Sequence, residues 1–159
     1  MTGPRIAVIM GSDSDWPCMK AAYDVLIEAG VEVHGEVVSA HRTPDRMFAF
    51  SRDARSQGFC AIIAGAGGAA HLPGMVASLS TLPVIGVPIS LNNLDGLDSL
   101  LSIVQMPAGV PVATVGVDQA RNAGLLALRF LSVSHPEISQ FLEDFRASQE
   151  AAVLGKKLS

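Results

Sequence analysis

Short apolar runs alternate along the chain with longer segments in which apolar residues recur at helical spacing. The runs are rich in valine, isoleucine and alanine, a pattern typical of buried parallel strands. We predict strands at residues 6–10, 31–38, 59–64, 83–87 and 112–115. We predict helices at residues 16–29, 44–57, 69–79, 97–105, 119–132 and 136–154.

This alternation of strands and helices predicts an α/β fold, a three-layer α/β/α sandwich with right-handed crossovers. The expected strand order is 2-1-3-4-5, the flavodoxin-like (Rossmann-like) order of a five-stranded parallel sheet. The length of 159 residues fits one domain over residues 1–159, with its core at 5–133. No strand follows the C-terminal helix at 136–154, so this helix covers its own domain or packs on a neighbouring subunit.

The composition predicts self-association. Hydrophobic residues make up 49% of the chain and charged residues only 16%, and the mean hydropathy is +0.38. A domain of this size has a limited interior, so part of the apolar surface is expected to face other subunits. The chain is therefore predicted to form a homo-oligomer with large interfaces.

Charge and hydropathy patterning argue against two kinds of partner. The net charge of −4 disfavours a nucleic acid, which would need a basic surface. The sequence has no apolar run of about 18 residues that could cross a bilayer, and residues 1–5 show no signal peptide. We therefore expect a cytoplasmic protein. Cys18 and Cys60 have neither pairing nor metal-ligand spacing, so they are predicted to be buried thiols, and no metal site is predicted.

Three loops carry the candidate chemistry. They span residues 11–15, 39–44 and 65–75, and each follows a predicted strand and precedes a predicted helix. The carboxyl ends of parallel strands meet at one edge of a sheet, where such sheets bind ligands. The loops therefore bring serines, an aspartate, an arginine, two histidines and several glycines to one rim. This set suits a small anionic substrate and proton transfer.

The first loop has two interpretations. Its small residues stand between a strand and a helix N-terminus, where unpaired N–H groups and the helix dipole favour an anion. Ser12 and Ser14 could bind a phosphate there, and the Asp15 carboxylate could accept hydrogen bonds from ribose hydroxyls. Alternatively, Ser14 or Asp15 only caps the helix.

The second loop places a histidine beside an arginine. Arg42 can bind a phosphate through two parallel hydrogen bonds. Histidine donates and accepts protons near neutral pH, so His41 is the candidate acid and base. Thr43 is predicted to be the N-cap of the next helix, with Pro44 at its first position.

The third loop is rich in glycine. Gly65, Gly67 and Gly68 would let the main chain approach a flat ligand, or would only allow a strand and helix to pack closely. His71 could orient a substrate, assist proton movement or cap the helix. The loop matches neither the dinucleotide-binding fingerprint nor the P-loop. The remaining histidines, His34 and His135, lie outside the loops and are predicted to be surface or packing residues.

These motifs together resemble the family of 5-(carboxyamino)imidazole ribonucleotide mutases of de novo purine biosynthesis. The resemblance covers residues 6–146 and includes the three loops, a turn at residues 86–88, and the segment 99–115. In the family's branch that uses free carbon dioxide, His-Lys-Gly-Pro is typical. The Arg42-Thr43 pair here resembles the mutase branch.

The resemblance implies an isomerase that converts 5-carboxyaminoimidazole ribonucleotide to 4-carboxy-5-aminoimidazole ribonucleotide. It implies that the acid and base is His41, that no cofactor is used, and that the chain forms an octamer. It also implies a functional link to the ATP-dependent synthetase that makes the carbamate substrate. The implied substrate-binding residues are Ser12, Ser14, Asp15, Ser39, Ala40, Arg42, Gly67, Ala70, His71 and Leu72.

Two alternatives remain at this point. One is an aminoimidazole ribonucleotide carboxylase that takes free carbon dioxide. The other is a non-catalytic, flavodoxin-like binding module. Trp16 and Tyr23 are the only large aromatic residues besides phenylalanine, which is few for a flavin site.

Overall fold

The predicted strands form one parallel sheet. The computed structural model describes residues 3–157, and within them the strand order is β2-β1-β3-β4-β5, as predicted. The strands are β1 (Arg5–Met10), β2 (Glu32–Val37), β3 (Phe59–Gly67), β4 (Val84–Ile89) and β5 (Ala113–Thr114). Each crossover carries at least one helix, which accounts for the parallel pairing.

Helices cover both faces of the sheet. They are α1 (Trp16–Glu28), α2 (Pro44–Asp53), α3 (Leu72–Leu79), α4 (Leu97–Val104), α5 (Ala120–Ser132) and α6 (Pro136–Leu154). Alternate residues of β1 point to opposite faces: Val8 packs with α1 and α5, whereas Ile9 packs with α2, α3 and α4. The three-layer α/β/α prediction is therefore confirmed. None of the described helices is long and apolar enough to span a membrane.

Several predicted boundaries were wrong. The segment 86–88, predicted as a turn, lies inside β4. The strand β3 continues to Gly67 because it keeps pairing with β4 as far as Ile89. As a result, α3 begins at Leu72 rather than residue 69, and the first glycines of the third loop belong to the strand. Helix α2 ends at Asp53, before a turn that closes at Gly58 with a φ of +84°.

Cys60 is exposed and Cys18 is half-buried, so the prediction of two buried thiols was wrong. The register explains Cys60. In the pairing of β1 with β3, Arg5 faces Phe59 and Ile6 faces Ala61, which leaves Cys60 as an extra residue. A bulge of this kind turns its residue away from the regular alternation.

The C-terminal helix α6 packs against its own domain through its first turns. Ile138 is buried, and Phe141 and Leu142 pack against the same core cluster. Further along, Val153 and Leu154 are exposed.

Gly65→Ala should destabilise the fold. A Cβ at this position would overlap the Met19 side chain, with Cγ only 2.9 Å away, and Met19 is fully buried. Overpacking of this kind typically costs about 1–3 kcal/mol. Urea denaturation measures the loss in the free energy of unfolding. Gly3→Ala is the matched control, since nothing lies within 4 Å of its added Cβ. Equal midpoints for the two variants would contradict this account.

Candidate functional site

A cavity of about 190 Å³ lies at the carboxyl edge of the sheet, where the three predicted loops meet. It is lined by Gly11, Ser12, Ser14, Asp15, Ser39, Ala40, His41, Arg42, Ala66, Gly67, Ala69, His71, Leu72 and Leu91. The sequence-predicted residues therefore converge on one site, with a single exception. Ala70 is absent from the lining and is buried in the core cluster beside α3.

The structure adds Leu91 to the site. This residue follows β4, and its Cγ lies 2.9 Å from the position that a Cβ on Gly67 would occupy. Leu91 therefore covers the glycine segment directly, although half of its own surface is exposed. Its place just beyond the carboxyl end of a strand is the only signal that could have identified it from the sequence.

Reciprocal hydrogen bonds fix the first loop. The backbone N–H of Ser12 donates to Asp15 Oδ2 at 3.1 Å, and the backbone N–H of Ser14 donates to Ser12 Oγ at 3.3 Å. This capping box encloses the short 3-10 turn Asp13–Asp15. Asp15 precedes α1 but makes no side-chain cap bond to it. The Asp15 side chain therefore caps the preceding 3-10 turn and not helix α1.

The Asp15 carboxyl lies in a desolvated position. Burial raises its pKa above the ordinary 3.8, although backbone hydrogen bonds from Ser12 and Gly11 and the nearby Arg42 charge act in the opposite direction. Burial disfavours the charged form of the carboxyl. The negative charge of Asp15 is therefore held at some cost to the folded state.

Asp15→Asn should change how stability depends on pH. A pKa that is higher in the folded than in the unfolded state stabilises the fold at low pH, and this contribution is lost as pH rises through the folded-state value. The parent's free energy of unfolding, minus that of Asp15→Asn, should therefore fall as the pH rises through the range above 3.8, the ordinary pKa of the carboxyl. Urea unfolding across this range measures it, with Asp13→Asn in the same turn as control. A difference that rises with pH would contradict the assignment.

Arg42 joins the first two loops. Its Nη2 donates to the Gly11 carbonyl at 3.0 Å, and its Nε donates to Ser39 Oγ at 3.3 Å. A guanidinium has five N–H donors, so Arg42, which lines the cavity, keeps further donors for an anion. The Ser39 hydroxyl also accepts the Arg42 backbone N–H at 3.2 Å, which fixes the start of the arginine side chain.

Thr43 stands at the predicted N-cap position of α2, but its side chain makes no cap bond. Its hydroxyl donates instead to the Ser39 carbonyl at 2.9 Å. The N-cap prediction was therefore correct in position and wrong in the bond. The consequence is a closed second loop that presents His41 and Arg42 to the cavity.

The two loop histidines form a pair. His41 Nε2 lies 2.8 Å from His71 Nδ1, and the rings meet edge to face at a centroid distance of 4.9 Å. One of these nitrogens donates and the other accepts, so a single proton lies between them. His71 stands at the N-cap of α3, but its side chain makes no cap bond, so its helix-capping alternative was correct in position and wrong in the bond.

The other histidines lie outside the cavity lining. His34 Nε2 pairs with Glu36 Oε2 at 2.8 Å, and His135 Nδ1 lies 3.0 Å from the Leu131 carbonyl. Both positions agree with the predicted surface or packing roles. Among residues 3–157, no three metal-ligating side chains cluster together. The cavity thus combines an arginine, which favours an anion, with two imidazoles that share a proton.

Comparison with known proteins agrees with this geometry. The AIR carboxylase family matches residues 5–152. Proteins named N5-carboxyaminoimidazole ribonucleotide mutase are 56% identical in Thermotoga maritima, over 96% of this chain and 90% of that one, and 54% identical in Saccharolobus solfataricus, over 98% of both. The crystal structure of Treponema denticola PurE superimposes with a TM-score of 0.87 at 25% identity, covering 95% of this chain and 94% of that one. The chain belongs to the AIR carboxylase family.

Proposed function

We propose that the chain is a mutase of purine biosynthesis. It converts 5-carboxyaminoimidazole ribonucleotide to 4-carboxy-5-aminoimidazole ribonucleotide. The observation that carries this proposal is the cavity: the three motifs of the resemblance line it together. Three relatives that are 54%, 56% and 61% identical to this chain bear the mutase name.

The substrate's phosphate binds at the first two loops. Arg42 supplies the positive charge and the paired N–H donors, and Ser12 and Ser14 line the same cavity. Asp15, which already accepts the Ser12 N–H, accepts hydrogen bonds from the ribose hydroxyls. With the phosphate and ribose held here, the imidazole ring extends toward His41 and the glycine segment.

The reaction proceeds through carbon dioxide. The bond between the exocyclic nitrogen and the carboxyl carbon breaks, which releases carbon dioxide and leaves the electron pair on nitrogen, where a proton is taken up. The ring carbon, which has enamine character, then attacks the carbon dioxide and forms a new carbon–carbon bond. His41 supplies the one proton that the nitrogen takes up, and it is reprotonated when it removes the ring proton to restore aromaticity. Atoms and charge therefore balance as an isomerisation.

The His41–His71 contact supports this proton movement. Because the facing nitrogens lie 2.8 Å apart, a proton gained by one ring can be shared with the other. The imidazole substrate supplies the electrons for both steps, so the proposed mechanism uses no cofactor.

Confinement is the main task of the protein. Carbon dioxide held beside the ring has a high effective concentration, and exclusion of water limits its escape. Gly67, Leu72 and Leu91 form the apolar side of the cavity. We assign the carbon dioxide to this side, next to the face of the ring that carries the reacting carbon.

The assembly is also part of the proposal. Four side chains along the segment that ends in α4 are apolar and exposed, namely Leu94, Leu97, Leu101 and Val104. An exposed stripe of this kind favours a homo-oligomer, and we propose the octamer. Sedimentation equilibrium measures the mass directly. We further propose that the protein is cytoplasmic and receives its substrate from the ATP-dependent, carbamate-forming synthetase.

A comparison of two substrates tests the activity. The first is 5-carboxyaminoimidazole ribonucleotide, and the second is aminoimidazole ribonucleotide with saturating carbon dioxide. A much higher kcat/KM for the first supports the mutase. Turnover of the second alone would place the chain with the free-carbon-dioxide carboxylases, and turnover of neither would overturn the proposal.

A further inference from the structure

A buried serine on α4 joins the two strand ends that border the cavity. Ser99 is fully buried, and it is absent from the cavity lining. Its Oγ donates to the Ile89 carbonyl at 2.8 Å and accepts the Gly68 backbone N–H at 2.8 Å. A hydroxyl has one proton and two lone pairs, so these two bonds fix its orientation.

The two hydrogen bonds of Ser99 lie where the ladder between β3 and β4 ends. The last residue pair in the ladder between β3 and β4 is Gly67 with Ile89. At Gly68 the chain leaves the strand with a φ of +65°, so the backbone can no longer continue that ladder. The Ser99 hydroxyl bridges Gly68 and Ile89 where the next backbone bond would have been.

The buried polar side chains of the described residues differ in what they join. They are Asp15, Ser39, Ser51 and Ser99. Asp15 and Ser39 line the cavity, and Ser51 donates only within its own helix, to the Met47 carbonyl. Ser99 alone among these four ties strand ends together from behind the cavity wall.

The segment held by Ser99 forms the apolar wall. Gly67 lines the cavity, and Leu91 packs against Gly67 and Gly68, its Cδ1 lying 3.3 Å from the position of a Cβ on Gly68. A shift of the Gly68 backbone would therefore open the gap between the glycine segment and Leu91.

We propose that Ser99 is a positioning residue that keeps this wall closed while carbon dioxide is free in the cavity. The inference rests on the proposed function, since it concerns the fate of carbon dioxide between the two chemical steps. Loss of the hydroxyl leaves the Gly68 N–H and the Ile89 carbonyl without their shared partner. The wall then loosens, and carbon dioxide escapes before the ring carbon captures it.

Isotope retention tests the role of Ser99. The substrate carries carbon-13 in its carbamate carboxyl, the buffer contains unlabelled bicarbonate, and mass spectrometry measures the label retained in the product. For Ser99→Ala we expect the ratio of released to captured carbon dioxide to rise about three- to tenfold, the size of effect that one hydrogen bond typically has. The KM should change little, because the phosphate site is intact.

Ser51→Ala is the matched control, as it removes a buried serine hydroxyl away from the cavity. It should lower the melting temperature without changing label retention. Ser99→Cys is the second variant should Ser99→Ala not fold; its weak S–H donor should also leave the ratio above the parent's. A folded Ser99 variant with parental label retention would overturn the inference.

Two outcomes for the parent chain separate this inference from the proposed function. Product that has exchanged its carboxyl completely with bicarbonate would overturn the inference alone, because no carbon dioxide would be retained for Ser99 to protect. An absence of product would overturn the proposed function, and the inference with it.

Discussion

His41→Asn should abolish turnover and leave substrate binding nearly intact. An asparagine amide fills similar space and can still form a hydrogen bond toward His71, but it does not exchange protons near neutral pH. General acid–base catalysis typically contributes about 10²–10⁴-fold to the rate, so kcat should fall by at least that range. Ultraviolet absorbance measures the turnover, and calorimetric titration measures the binding.

The other histidines provide the control for this prediction. His34→Asn removes an imidazole whose partner is Glu36, outside the cavity lining, and should keep parental turnover. Near-normal turnover in His41→Asn would remove His41 from the mechanism.

Arg42→Ala should weaken binding of the phosphorylated substrate by roughly 10- to 100-fold, since charge-assisted hydrogen bonds are the strong ones. The substitution also removes the bonds to Gly11 and Ser39, so part of the loss comes from a looser pair of loops. Arg42→Lys keeps the positive charge but lacks the planar guanidinium. Its affinity for the phosphorylated substrate should therefore lie between those of the parent and Arg42→Ala. The dissociation constants for the nucleotide and for its dephosphorylated analogue separate these effects.

Arg46→Ala is the control for Arg42, because it removes a cation two residues into α2 that pairs with Glu36 on the surface. It should bind the nucleotide nearly as well as the parent. If Arg42→Ala weakened the dephosphorylated analogue as much as the nucleotide, the phosphate role of Arg42 would be wrong.

The fold was predictable because its strongest signals are local and periodic. Apolar runs bounded by glycine and proline identified the strands, and their alternation with helices fixed the layers. The errors arose where pairing between strands overrides local pattern. The strand β3 runs on to Gly67 because β4 pairs with it, and Cys60 is exposed because a bulge interrupts the pairing with β1.

The prediction of the site also succeeded where local pattern decides and failed where tertiary packing decides. The loops at residues 11–15, 39–44 and 65–75 were predicted to meet, since the carboxyl ends of parallel strands share one edge, and their side chains line one cavity. The direct contact between His41 and His71 depends on side-chain orientations that no spacing in the sequence specifies. Leu91 and Ser99 lie outside these three loops, and only tertiary packing brings them to the glycine segment.

The most direct test follows freshly prepared 5-carboxyaminoimidazole ribonucleotide with the chain in sealed buffer that contains a chelator but no ATP and no added bicarbonate. If the chain is the mutase and His41 is its acid and base, the parent chain should form 4-carboxy-5-aminoimidazole ribonucleotide rapidly and His41→Asn should form none above background. Loss of the substrate only to aminoimidazole ribonucleotide, at the rate seen in buffer alone, would contradict this assignment.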